Sequence, residues 1–178
     1  MEKAKGTIEA SKEESEIVSK LDVHPHRPHL DFSFYEDFTL RGISVDRVEP
    51  QLVVCSFKVP PRLTDRNGNL ASGAIANLVD ELGAVVIYRE GLPMNVSVTM
   101  SISYVSTANV DVCVTSILEL LVIVYHADHT LDELEVTSRL LGRKGFVFGT
   151  TVVLKNKATG ETIAEGRHTL FSKHASKI

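Results

Sequence analysis

From residue 72 to about residue 89 the chain repeats with a helical period, while the runs on either side alternate as strands do. Ser72 is expected as the N-cap, and Gly91 and Pro93 are expected to end the helix. At about 100° per residue, Ile75, Leu78, Leu82, Val85 and Val86 share one side. The other side carries Gly73, Ala76, Asn77, Asp80, Gly83 and Ala84, which are small apart from Asn77 and Asp80. Such a helix, lying among valine- and isoleucine-rich strands, is expected to be buried nearly all round.

The strand candidates are 42–48, 51–59, 95–105, 133–141, 146–155 and 162–171. The second stops at Pro60 and Pro61. The third alternates through Val96, Val98, Met100, Ile102 and Tyr104. Asn67-Gly68 and the run Lys157 to Gly160 read as turns. One helix and about six mainly antiparallel strands define an α+β domain.

The remaining composition bounds the domain. The 178 residues suffice for one domain with a core and tails. Residues 1–30 are polar and charged and read as a disordered tail, 31–172 as the domain, and 173–178 as a C-terminal tail. Ser11 to Glu14 could start a short helix there. No apolar run marks a secretory signal, and no run is long enough to span a bilayer. A net charge of −4 without a basic block argues against nucleic acid as partner. Cys55 and Cys113 sit in strand-like contexts and read as buried reduced thiols. His24, His26 and His29 read as a polar tail, so neither a metal nor another cofactor is expected. Ser176-Lys177-Ile178 is close to the Ser-Lys-Leu peroxisomal address. A peroxisomal location is the expectation, with an ordinary tail and a cytoplasmic location as the alternative.

Asp80 needs an explanation, because burying a carboxylate is costly without partners. It either faces solvent, hydrogen-bonds to Asn77, or does chemistry. Gly73 and Asp80 lie on one face, about 10 Å apart along the axis. Free N–H groups near Ser72 and Gly73 are suited to an oxyanion. Asp80 of the same chain cannot reach a carbonyl held there. A second, antiparallel copy of the helix could bring its own Asp80 to that point.

The run from Gly68 to Gly83 (GNLASGAIANLVDELG) resembles the helix signature of hotdog-fold acyl-CoA thioesterases, of the phenylacetate-pathway and thioesterase superfamily member 2 type. Val96 to Tyr104 (VSVTMSISY) is similar to that family's following strand, and Asn156 to Thr169 to its last hairpin. The likeness spans about 42–171. It implies a hotdog fold, an antiparallel sheet wrapped around one long central helix, and a homodimer or dimer of dimers. It also implies hydrolysis of a fatty or aromatic acyl-CoA to free acid and coenzyme A. By resemblance, Asp80 is the general base or nucleophile, the Ser72 or Gly73 amide polarises the carbonyl, and Ser97 orients water. Asp65 stands where an assisting Asn often stands. The coenzyme groove falls on Tyr104, Val105 and Ser106 and on Gly142, Arg143, Lys144 and Gly145. Arg143 and Lys144 read either as phosphate contacts or as a solvated hairpin tip, and Ser97 on its own reads as a strand serine.

The chain departs from the pattern in three places. Ala71-Ser72-Gly73 replaces His-Gly-Gly. Asp65 replaces Asn, and a second carboxylate near Asp80 would raise one pKa. Residues 112–131 read as an insertion, because without them Asp111 joins Asp132 and the family pattern runs on. The departures leave open a catalytically impaired acyl-CoA-binding protein. A hotdog hydratase or dehydratase is disfavoured, since no suitable His precedes the helix.

Overall fold

The computed structural model describes residues 12–20, 33–88, 95–108, 110–111 and 130–172. The chain divides into two compact units between Asp37 and Phe38. The first contains helix α1 (Lys12–Ser19). Helix α2 (Phe34–Leu40) follows. Its start carries one half of a capping box, the Ser33 N–H meeting the Glu36 carboxylate, and the first intrahelical bond runs from the Asp37 N–H to the Ser33 carbonyl at 3.1 Å.

The second unit is built on a six-stranded antiparallel sheet in the order β1-β2-β6-β7-β8-β3. The strands are β1 (Ile43–Glu49), β2 (Leu52–Lys58), β3 (Val96–Tyr104), β6 (Glu133–Lys144), β7 (Val147–Asn156) and β8 (Thr162–Phe171). Pro50-Gln51 joins β1 to β2, with Gln51 at φ 67°, the pattern of a type II turn. Gly145, at φ 62°, turns β6 into β7, a position where a Cβ would be strained. Short strands β4 (Val110–Asp111) and β5 (Thr130–Leu131) pair with each other. This pairing closes the neck of the expected insertion. Its residues 112–129 lie outside the described residues, as do Ser11, the three tail histidines, Cys113 and residues 173–178.

Helix α3 (Ser72–Val85) lies against β3, β6, β7 and β8. Ile75, Leu78, Val79 and Leu82 enter a core shared with Val53, Cys55, Phe57, Leu134, Val136, Val152 and Leu154. The helix comes close to the sheet at Gly166, where a Cβ would collide with Val79 Cγ1. Burial, then the Asp46 charge, pushes the Cys55 thiol above its usual pKa, which leaves it a neutral core group.

Three sequence expectations about this helix are corrected. Its N-cap is Ala71, in extended conformation with no side-chain cap, and Ser72 is the first helical residue. The helix ends at Val85 and not near Arg89, because the Ile87 and Tyr88 N–H groups fold back to the Ala84 and Val85 carbonyls in tighter turns. Burial is less complete than the small residues suggest: Val85 is 42% exposed, and Ser72 and Gly73 are also exposed.

Candidate active site

Asp80 projects from α3 toward the first residues of β3 and the middle of β8. The Ser97 hydroxyl donates to its Oδ1 at 2.6 Å. His168, on β8, places Nε2 at 3.2 Å from the same oxygen, off the line of a straight hydrogen bond. The Asp80 side chain is 41% exposed and that of His168 fully buried. Asp80 therefore has two polar neighbours and one face toward solvent. Asn77 is not its partner, since its amide donates to the Thr39 hydroxyl at 3.1 Å. Burial drives the His168 pKa below its ordinary value, and the Asp80 charge opposes this only in part. A neutral imidazole beside the carboxylate follows.

Sheet alternation explains why these groups meet. His168 shares its ladder row with Thr150 and Met100, and Ser97 its row with Leu170. A bulge between Ser97 and Thr99 offsets this part of β3. Sequence reading named Ser97 but not His168 as a site residue. The missed signal was a histidine at an inward position of an otherwise apolar alternation, Ala164, Gly166, His168, Leu170.

The start of α3 forms a separate place. The first intrahelical bond runs from the Ile75 N–H to the Ala71 carbonyl, so the earlier amides point out of the helix end. A Cβ on Gly73 would meet nothing within 4 Å. Tyr104, at the far end of β3, donates its hydroxyl to the Ser72 carbonyl at 3.4 Å. The Val105 and Ser106 N–H groups both donate to the Ile163 carbonyl. In the preceding loop, Asp65 Oδ1 accepts from the Asn67 and Asn69 N–H groups at 2.8 and 3.0 Å. These bonds, Asn67 first, hold the exposed Asp65 carboxyl below its ordinary pKa, opposite to the rise expected for a crowded pair of carboxylates.

Of the named groove residues, Arg143 shares the ladder row of Ser97, through Phe148 and Leu170. Its guanidinium lies 5.1 Å from the Phe148 ring centroid, and its Nε donates to the Gly145 carbonyl at 2.8 Å. Gly142 and Lys144 flank it on β6. Tyr104 is seven residues along β3 from Ser97, about 23 Å. Ser72 is eight residues from Asp80, about 12 Å along the axis. The named residues thus fall in separate places on one chain: Asp80 meets Ser97 and His168 at the middle of α3, and Ser72 meets Tyr104 at its start. Arg143 stands three strands from Ser97, about 14 Å along the row. Among the described residues no cluster of three or more His, Cys, Asp or Glu could hold a metal, and no helix is long and apolar enough to cross a membrane.

A long helix laid along a six-stranded antiparallel sheet is the hotdog architecture. The structure of zebra fish thioesterase superfamily member 2 matches with a TM-score of 0.61 and 29% identity, over 78% of this chain and 92% of that one. Mouse acyl-coenzyme A thioesterase 13 is 30% identical over 135 residues, 75% of this chain and 81% of the mouse protein. The human protein of that name is 32% identical over 132 residues, 73% of this chain and 79% of its own length. No protein-family profile matches. The chain belongs to the acyl-coenzyme A thioesterase 13 family of hotdog proteins.

Proposed function

We infer that this chain hydrolyses acyl-coenzyme A thioesters to the free acid and coenzyme A, through sites completed by a second copy of itself. Family membership supports the reaction. One observation carries the mechanism: the Asp80 carboxylate is held by the Ser97 hydroxyl at 2.6 Å beside a buried imidazole.

A thioester needs an attacking oxygen and a stabilised oxyanion. Ser97 occupies Oδ1 of Asp80, leaving Oδ2 to take a proton from water as that water attacks the carbonyl carbon. Direct attack by the carboxylate is the other route from the same geometry. Neutral His168 keeps the carboxylate in place without neutralising it. The Ser72 and Gly73 N–H groups donate to the oxyanion that builds on the carbonyl oxygen, and collapse of the tetrahedral intermediate expels the coenzyme A thiolate, which takes the proton held by Asp80 and restores the carboxylate. Asp65 supports this by shaping the loop ahead of the helix.

The Asp80 place and the Ser72 place of one chain act as half-sites: they lie too far apart for a single carbonyl, and this supports the dimer. β3 is a sheet edge whose Val96, Val98 and Met100 are 64%, 59% and 39% exposed. Antiparallel pairing of two β3 edges would set the Ser97 end of one chain beside the Tyr104 end of the other. Arg143, Lys144 and the Gly142 and Gly145 backbone of one chain would then lie across the joined sheet from Tyr104, Val105 and Ser106 of the second, four strands or about 19 Å away, a span suited to an extended coenzyme.

The test is thiol release from short, long and aromatic acyl-CoAs by the wild type and by Asp80→Asn. Turnover of at least one substrate by the wild type, lost in the variant with acyl-CoA binding intact, supports this reading. Binding without thiol release in the wild type would mean a non-catalytic acyl-CoA binder, the reading favoured by the replaced His-Gly-Gly.

A further inference from the structure

We propose that Gly83 is a positioning residue: its missing side chain seats the His168 ring against one turn of α3 and so fixes where the Asp80 carboxylate stands. The inference rests on the reading of Asp80 given above. Asp80 and Gly83 are three residues apart, on one helical face. The His168 ring lies under that turn. Its Nε2 faces Asp80 Oδ1 at 3.2 Å. Its other nitrogen faces Gly83, where a Cβ would come within 2.8 Å of Nδ1 and 3.4 Å of the His168 Cβ. The same Cβ would meet Thr150 Oγ1 at 3.1 Å.

Thr150 closes the seat from β7. It is fully buried, pairs with His168 in the ladder, and donates to the His168 carbonyl at 3.4 Å. Met100 pairs with His168 from β3. Asp80, from α3, is the charged group facing the ring; Thr150, Met100 and Ser97 do not titrate in the working range. Interiors are close-packed, so a methyl at position 83 must displace either the ring or the helix turn. Both displacements change the Nε2–Oδ1 contact and with it the carboxylate that Ser97 holds.

Two comparisons separate positioning from plain packing. Gly166→Ala also overpacks α3 against β8, but against Val79, an apolar neighbour. His168→Ala removes the Nδ1 contact at 2.8 Å, the tightest a methyl at 83 would make, and leaves Thr150 Oγ1 at 3.1 Å, a neighbour that need give only a few tenths of an ångström. Gly83→Ala in the full chain is expected to lower kcat about tenfold with KM little changed, and to move the acid limb of the kcat profile. Gly166→Ala is expected to lower Tm without moving that limb. In the His168→Ala background, Gly83→Ala is expected to leave kcat unchanged and to lower Tm less than it does with the ring present. A wild-type kcat and pH profile for Gly83→Ala would overturn the inference, and so would an equal loss in both backgrounds or an equal limb shift in Gly166→Ala. If Gly83→Ala alone does not fold, its folding in the His168→Ala background supports the inference, and failure there also overturns it. Full activity in Asp80→Asn would instead overturn the reading of Asp80.

Discussion

The two regions of α3 proposed as half-sites are built from different material. The helix start presents backbone: Ser72 and Gly73 are exposed, and a Cβ on Gly73 would meet nothing. The Asp80 turn presents side chains, with Ser97 and His168 converging on one carboxylate oxygen. An amide donor survives exchange of its side chain, so Ala71-Ser72-Gly73 can stand in place of His-Gly-Gly. A carboxylate ringed by strand residues does not survive exchange.

This contrast fixes the largest expected effects. Asp80→Asn should lower kcat by about 10³-fold, the scale of a lost general base. Ser72→Ala should change little, whereas Ser72→Pro should cost about 10²-fold, the scale of one lost oxyanion donor. Proline is tolerated at the first helical position, and the extended Ala71 before it, at ψ 140°, suits proline. Mixing the two inactive variants and re-equilibrating the subunits should restore about one quarter of wild-type activity, because a mixed dimer keeps one intact shared site. No recovery would mean that each chain works alone, and would break the two-chain site.

Ser97→Ala should come next. The hydroxyl donates one hydrogen bond to a charged oxygen, worth about 1.5–3 kcal/mol, or roughly ten- to a hundredfold in kcat. Measured with a saturating acyl-CoA, the loss should fall on kcat and not on KM. A rise in KM alone would sharpen the contrast differently, moving Ser97 from the carboxylate to the substrate.

The side-chain half-site was the less legible of the two from sequence. The strands and α3 could be read, because alternation such as Val96 to Tyr104 and the spacing of Ile75, Leu78 and Leu82 record burial directly. Asp80 stood out as an acid on the small-residue side of that helix. His168 did not, since its role arises from the pairing of β8 with β7 and β3, which no local pattern states. Nor did Gly83, whose lack of a Cβ matters only once β8 lies beneath it. The end of α3 was overrun because Val86, Ile87 and Tyr88 continue the apolar run while their backbone turns back. Helix α2 was missed although Ser33-Phe34-Tyr35-Glu36 carries the Ser-x-x-Glu spacing of a helix start; at seven residues it is too short to show a helical period.

His168 should also leave a smaller mark, on stability. Burial holds its folded-state pKa below the usual value near 6.5, so the unfolded chain binds the proton more readily. The stability is therefore present above about pH 6.5 and is lost as pH falls through that value toward the lower folded-state pKa. Tm measured between about pH 7.5 and 5 should fall less steeply in His168→Asn than in the wild type. Parallel slopes would mean that the ring charges freely in the folded protein.

The smallest effect is expected at Asp65, which belongs to the loop ahead of the backbone half-site. Its Oδ1 accepts the Asn67 and Asn69 amides, and an asparagine carbonyl can accept both. Asp65→Asn should therefore keep the turn and change kcat by less than about threefold. It should flatten the stability profile at acid pH, because the depressed carboxyl pKa adds stability above the ordinary carboxylate range that is lost as pH falls through the folded-state value. The resemblance puts an assisting Asn at this position. A gain of tenfold or more on restoring that Asn would mean the loop reaches the thioester through a side chain, and the helix-start half-site would no longer be made of backbone alone.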